Sequence, residues 1–162
     1  MNQFLRALPV ACLFAVAGCE PSADGTARTD AAALPSTENS RDFGDYVVHF
    51  NAISTDQLTP EIARRYDIVR SRNRAMLNVS IIKKEAGTPG RPVSGSVFAT
   101  AVNLTGQQKD LSVREIREEE AVYFIGEVAI ANAETLVFTI DVTPINEPSR
   151  FSVRYMKQFF VD

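Results

Sequence analysis

The chain has 162 residues, with 20 acidic and 17 basic side chains and a formal net charge of −3. This weakly acidic balance disfavours a nucleic-acid-binding protein, which would need a basic surface. The two cysteines, Cys12 and Cys19, both lie near the amino terminus. They leave little basis for a disulfide, a cysteine nucleophile or a cysteine-rich metal site.

Residues 1–18 have the layout of a secretory signal. Arg6 precedes an apolar stretch at residues 7–17, which is shorter than the about 20 residues that a membrane-spanning helix needs. The sequence then reads Val-Ala-Gly-Cys and resembles a bacterial lipobox. That resemblance implies cleavage before Cys19 and acylation of the cysteine. Because Glu20 rather than Asp follows, it also implies the outer membrane, with the domain facing the periplasm.

An ordinary cleaved signal is the alternative, since residues 15–17 could form a small-residue cleavage site. An uncleaved anchor is disfavoured by the short apolar run. Lipidation would change the location of the protein decisively. Each buried methylene contributes about 0.8 kcal/mol, and two chains hold a protein stably on a membrane.

Residues 19–41 are predicted to be a disordered tether behind the lipid anchor. The segment is rich in Ala, Ser, Thr, Asp and Pro and has no aromatic residue, so it cannot bury enough apolar surface to become ordered. As a flexible coil it would reach about 25 Å. The folded part would therefore stand away from the membrane.

Residues 42–162 are sufficient for one domain with a single core. Seven segments alternate apolar and polar residues with the period of a β-strand. Their apolar faces are Tyr46, Val48, Phe50 and Ala52; Leu77, Val79 and Ile81; Phe98, Val102 and Leu104; Leu111 and Val113; Val122, Phe124, Gly126, Val128 and Ile130; Leu136, Phe138, Ile140 and Val142; and Phe151, Val153, Tyr155, Phe159 and Val161. The fourth run is short and polar, as in an edge strand.

Seven short strands predict an immunoglobulin-like antiparallel β-sandwich, with a partly closed barrel as the alternative. The chain has no Trp, so the prediction rests on the strand count alone. One short helix is expected between the first two strands. Thr59 can cap it, Pro60 suits its first position, and Ile62, Ala63 and Tyr66 supply an apolar stripe.

Three stretches of the predicted domain resemble a known family. Residues 46–52 read Tyr-Val-Val-His-Phe-Asn-Ala, residues 58–63 read Leu-Thr-Pro-Glu-Ile-Ala, and residues 74–80 read Arg-Ala-Met-Leu-Asn-Val-Ser. Together they resemble an uncharacterised bacterial envelope family, the domain of unknown function DUF4426. The resemblance covers most of the predicted domain. It implies a small exported domain and no established activity or site residue.

The sharpest chemical asymmetry is a short basic segment. It contains Arg64, Arg65, Arg70, Arg72 and Arg74. Asp67 is the sole acid between them. Because an arginine binds carboxylate or phosphate with two hydrogen bonds, the segment predicts a docking patch. Its partner would be an acidic envelope protein or an anionic envelope component such as a lipid phosphate. The alternative is a solvated face paired to Asp67 or to the run Glu118–Glu120.

His49 is the only histidine, and with Met76 and Met156 it could form a soft copper site. A strand histidine bonded to a neighbour, with both methionines filling gaps in the core, is favoured instead. No other metal or cofactor signature is present, and we expect no cofactor.

A small envelope hydrolase is a further alternative. Ser71, Ser94 and Ser96 are candidate nucleophiles by residue type alone, because no G-x-S-x-G elbow occurs. Glu118–Glu120 could supply paired carboxylates, but a solvated turn is favoured. The sequence therefore predicts a non-enzymatic binding or assembly-accessory module.

Overall fold

The computed structural model describes residues 35–161, and this range contains ten β-strands and one short α-helix. In chain order the elements are β1 (Ser40–Asp42), β2 (Tyr46–Ser54), a 3-10 turn (Thr55–Gln57), α1 (Pro60–Arg65), β3 (Arg74–Lys83), β4 (Arg91–Pro92), β5 (Gly95–Asn103), β6 (Gln108–Lys109), β7 (Val113–Arg117), β8 (Val122–Ala129), β9 (Thr135–Pro144) and β10 (Phe151–Gln158). No helix in the described range is long and apolar enough to cross a membrane.

The strands form two antiparallel sheets that pack face to face. The first sheet has the order β1-β2-β3-β8-β7, with β4 also paired to β3, and the second has the order β10-β9-β5-β6. If only the seven long strands are numbered in chain order, the first sheet contains strands one, two, five and four (β2, β3, β8 and β7). The second sheet contains strands seven, six and three (β10, β9 and β5). This is the strand arrangement of an immunoglobulin constant-type sandwich. The predicted fold class is therefore confirmed.

Each of the seven predicted runs corresponds to one long strand. The short polar run became β7, which lies at the edge of the first sheet as expected. The strands β1, β4 and β6 were not predicted. They are only two or three residues long, so they show no periodicity that could reveal them.

Alternate residues of both sheets point inward and form one continuous core. Tyr155 lies near its centre. Its ring is 5.3 Å from that of Phe50 across the sandwich and 5.9 Å from that of Phe138 on the neighbouring strand. All three side chains are fully buried, at 2% exposure or less. The cleanest predicted strand, with Phe138 at its centre, thus supplies the middle of the core.

The apolar face predicted for the third run is a correction. Phe98 and Val102 lie on one face of β5 and Leu104 follows its end, but Phe98 and Leu104 are 70% and 71% exposed. The core side of β5 carries Val97 and Ala101 instead. The prediction assigned the larger side chains to the core face, and the error is one residue in register, since a shift of one residue exchanges the two faces of a strand.

A short segment before β1 pairs with the edges of both sheets. Ser36 donates its N–H to the carbonyl of Arg154 at 3.0 Å and accepts from the N–H of Met156 at 2.8 Å, parallel to β10. Three residues later, the carbonyl of Asn39 accepts from the N–H of Phe50 at 2.8 Å. β1 then continues antiparallel to β2. The chain therefore bridges the two sheets before the sandwich begins.

This pairing begins before the predicted domain start at Asp42. Residues 36–41, which were predicted to belong to the tether, are part of the ordered edge because their main chain satisfies hydrogen bonds on two strands. The rest of the predicted tether, the predicted signal and Cys19 lie outside the described residues.

Candidate functional site

The connection between β2 and β3, residues 55–73, lies against the outer face of the first sheet. We call it the insertion. Thr55, fully buried, holds its two ends together. The Thr55 hydroxyl lies 2.9 Å from the carbonyl of Val69 and 3.0 Å from that of Ser71, and it accepts from the N–H of Ser71 at 2.9 Å. The returning chain is thus fixed at one buried polar group.

The helix inside the insertion forms as the sequence predicted. Thr59 accepts the N–H of Ile62 at 3.3 Å, and Pro60 occupies the first helical turn. The helix ends at Arg65 with Tyr66 as its C-cap, and the next residue, Asp67, takes a positive φ of 53°. This left-handed residue is a common end of a helix and turns the chain back toward the sheet.

A second, smaller apolar cluster lies beneath the insertion. Leu58, Ala63 and Ile68 of the insertion are buried against Met76 and Ile125 of the sheet. The period-two pattern did not reveal this cluster. Met76 and Ile125 lie on the polar side of their strands in sequence and are buried only because the insertion covers them.

An apolar groove of about 220 Å³ opens beside this cluster. We call it the tyrosine groove. Its lining residues are Ile62, Tyr66, Met76, Asn78, Ile116, Tyr123 and Ile125. The hydroxyl of Tyr66 donates to Glu118 at 2.7 Å, and this hydrogen bond raises the pKa of Tyr66. The bond also fixes the ring that forms one wall of the groove.

The five arginines predicted to bind an anion all lie on or just after the insertion, and all are exposed. Arg65 is 3.3 Å from Glu61 and 3.8 Å from Glu118, and Arg70 donates to the carbonyl of Asp56 at 2.7 Å. These contacts match part of the alternative interpretation, in which the arginines pair with local acids.

Arg74, at the start of β3, contacts Glu127 at 3.2 Å. Arg72 also has an interaction partner. The contacts of Arg65, Arg70 and Arg74 lie at the surface, where an ion pair contributes about 0–1 kcal/mol. They therefore hold these three arginines only weakly.

Arg114 belongs to the same surface, although sequence reasoning did not select it. It projects from the edge strand β7 and donates to the carbonyl of Tyr66, at the end of α1. Together with Arg74 and Lys109 it lines a polar groove of about 580 Å³, next to the tyrosine groove. Arg114 lies far from the insertion in sequence, so only the pairing of β7 with β8 could reveal it.

The residues of the alternative copper site are not brought together. His49 is exposed on β2 opposite Ser80, and Met76 is buried under the insertion, about 13 Å farther along the strands. Met156 lies on β10 in the other sheet. Among residues 35–161, no group of three His, Cys, Asp or Glu side chains is placed to hold a metal ion.

The candidate residues for hydrolysis are also dispersed. Ser71 belongs to the insertion, whereas Ser94 donates to Glu115 at 3.3 Å at the opposite end of the sandwich. The run Glu118–Glu120 forms the turn between β7 and β8, closed by the N–H of Glu118 and the carbonyl of Ala121. The favoured interpretation of this acidic run as an exposed turn agrees with its place in the fold.

Residues 40–162 match the family model of a domain of unknown function, DUF4426. A solved protein of this family from Pseudomonas aeruginosa PAO1 is 35% identical, with a TM-score of 0.67 over 78% of this chain and 97% of the other.

FetP from uropathogenic E. coli strain F11, solved after recombinant expression in the periplasm, is a more distant likeness. It is 13% identical, with a TM-score of 0.56 over 78% of this chain and 95% of the other, and shows the fold alone. No curated protein matches the chain.

Proposed function

The chain belongs to the DUF4426 family, and from that premise we propose that it is a lipid-anchored envelope protein acting as a non-enzymatic binding or assembly-accessory module. Cys19 would carry the lipid at the outer membrane, and the sandwich would face the periplasm. The insertion would bind an acidic segment of another envelope protein.

The observation that carries this proposal is the presentation of the arginines. Four exposed arginines, Arg64, Arg65, Arg70 and Arg72, lie on an insertion whose ends are fixed by the buried Thr55 hydroxyl and whose underside is packed on the sheet, and the exposed Arg74 follows at the start of β3. Arg114 adds a sixth from the edge strand. Because the backbone of the insertion is already held, binding need not order this segment, and the planar guanidinium groups can each bind a carboxylate with two hydrogen bonds.

Local acids form exposed or half-buried ion pairs with Arg65 and Arg74 of this surface. Glu61 and Glu118 share Arg65, and the other contacts of the insertion arginines include a neutral main-chain carbonyl at Asp56. A partner carboxylate can replace such exposed contacts because each is worth about 0–1 kcal/mol. Association should then depend strongly on salt.

The anchor is tested by fractionation of cells. Cys19→Ala should move the protein from the membrane pellet to the soluble periplasmic fraction, because the proposed lipid on Cys19 would no longer hold the chain at the membrane. Retention of the variant in the pellet at the wild-type level would refute the lipid anchor.

The docking surface is tested by crosslinking in whole envelopes, followed by pull-down. Reversal of Arg70, Arg72 and Arg74 to Glu should remove the partners that the wild type captures in low salt. The matched control reverses three exposed cations elsewhere, Lys83, Lys84 and Arg91, and changes the net charge equally. Equal loss in both variants would indicate a general charge effect, and no loss in either would refute the proposal.

A further inference from the structure

We infer that the tyrosine groove receives one aromatic side chain from the acidic partner segment, so that the arginine surface has an apolar anchor point beside it. This inference rests on the proposed function and specifies the partner: an acidic segment with Trp or Tyr between its carboxylates. The groove and the arginines share the insertion, which contributes Ile62 and Tyr66 to the groove wall.

The size of the groove favours a single side chain. Pockets for small-molecule ligands usually span about 300–1,000 Å³, whereas this groove holds about 220 Å³. Its floor is formed by Met76 and Ile125, which are 8% and 4% exposed. A large apolar side chain would fill this space and exclude the water that now contacts its walls.

The chemistry of the walls favours an aromatic ring. The rings of Tyr66 and Tyr123 border the groove, and Met76 adds a polarisable sulfur at its base. Aromatic pairs and sulfur–aromatic contacts both add to the free energy of simple area burial. Trp and Tyr are also the residues that most often dominate protein interfaces from a central pocket.

Charge complementarity selects the residues on either side of the aromatic one. Two guanidinium groups lie beside Tyr66 of the groove wall: Arg114 donates to its carbonyl, and Arg65 is 3.8 Å from Glu118, which accepts a hydrogen bond from the Tyr66 hydroxyl. An aromatic residue seated in the groove would therefore have Asp or Glu neighbours within reach of these guanidinium groups.

The probe is the peptide acetyl-Asp-Glu-Trp-Glu-Asp-amide, titrated into the full chain. The protein contains no Trp, so indole fluorescence reports the peptide alone. Two further peptides separate the contribution of the aromatic ring from that of the negative charges. One has Ala in place of Trp, and the other has Asn and Gln in place of Asp and Glu. We expect the Ala peptide to bind at least tenfold more weakly. The neutral peptide should lose the salt dependence.

Ile62→Gln and Val69→Gln form a matched pair of variants. Both replace an exposed apolar residue of the insertion, at 38% and 68% exposure, and neither changes the charge. Only Ile62 lines the groove. We expect Ile62→Gln to weaken the Trp peptide about tenfold, because an apolar wall is lost, and Val69→Gln to change it less than twofold.

Amide NMR shifts locate the peptide, and they should be largest at Ile116 and Tyr123. Equal affinity of the Trp and Ala peptides, equal effects of the two variants, or shifts confined to other surfaces would overturn the inference. The reversal of Arg70, Arg72 and Arg74 to Glu distinguishes a failure of the proposed docking surface from a failure of the aromatic anchor. If it abolishes envelope capture while Ile62→Gln leaves capture intact, the proposed docking surface stands and the aromatic anchor does not.

Discussion

The sandwich core and the cluster beneath the insertion are both apolar, but they are built in different ways. The core is enclosed by two sheets and centred on aromatic side chains such as Phe50, Phe138 and Tyr155. The insertion cluster covers one face of one sheet, and a single buried hydroxyl closes it. The core therefore supplies stability through enclosed area. The insertion buries less apolar area, and the hydrogen bonds of the single Thr55 hydroxyl hold its two ends together.

The largest effect should come from the core. Phe138→Ala should lower the free energy of unfolding by about 3–5 kcal/mol, because the fully buried ring leaves a cavity between the sheets. Urea denaturation of both proteins measures this difference. The control is Phe98→Ala, on the neighbouring strand but 70% exposed, which should cost less than about 0.5 kcal/mol. Equal losses would show that the register assigned to β5 is wrong.

The next effect should be confined to the insertion. Thr55→Val keeps the shape of the side chain but removes the hydroxyl that joins both ends of the insertion, and it should cost about 1–3 kcal/mol. Hydrogen exchange should accelerate at the Ser71 amide while the core strands stay protected. Thr100→Val, at an exposed position of β5, is the control. Uniform acceleration across the sandwich would mean that the two regions unfold as one unit.

An ion pair in the sandwich should contribute more to stability than the more exposed ion pairs of the insertion. Lys109 and Glu134 form a largely buried pair at the end of the sandwich, 2.8 Å apart with side chains 17% and 10% exposed. Burial alone would raise the pKa of Glu134. The hydrogen bonds from Lys109, Asn103 and the Ala131 N–H outweigh it and lower the pKa below its usual 4.5. The ionised form is thus favoured in the folded protein.

The sign of the pH dependence follows from this lowered pKa. Glu134 stabilises the fold above pH 4.5, and this contribution is lost as the pH falls through the lower folded value. Glu134→Gln should therefore cost about 1–2 kcal/mol at pH 7 and much less in acid. Thermal unfolding over a pH series measures the difference. A penalty that does not change with pH would assign the effect to packing.

The smallest effect on stability is expected for the arginines of the insertion. Reversal of Arg70, Arg72 and Arg74 to Glu should change the free energy of unfolding by less than about 1 kcal/mol, because all three residues are exposed. Calorimetry of the same variant used for envelope capture provides the measurement. A marked fall in melting temperature would show that these arginines stabilise the insertion, and it would contradict a role in binding alone.

Much of the molecule follows from local sequence. The alternation in Leu136, Phe138, Ile140 and Val142 identified β9 and its inward face, because a strand buried on one side must repeat every two residues. Thr59 and Pro60 likewise predicted the start of α1, since capping depends on neighbouring residues alone.

Tertiary structure decided the rest. Only the pairing of β5 with β9 placed Val97 inward and Phe98 outward, since both faces of that run carry apolar residues. Only strand order brought Arg114 and Tyr123 to the insertion, from positions distant in sequence. The sequence by itself determined the strands, the helix and a basic segment through short-range physics. The groove and its arginine border exist because the fold brings distant residues together.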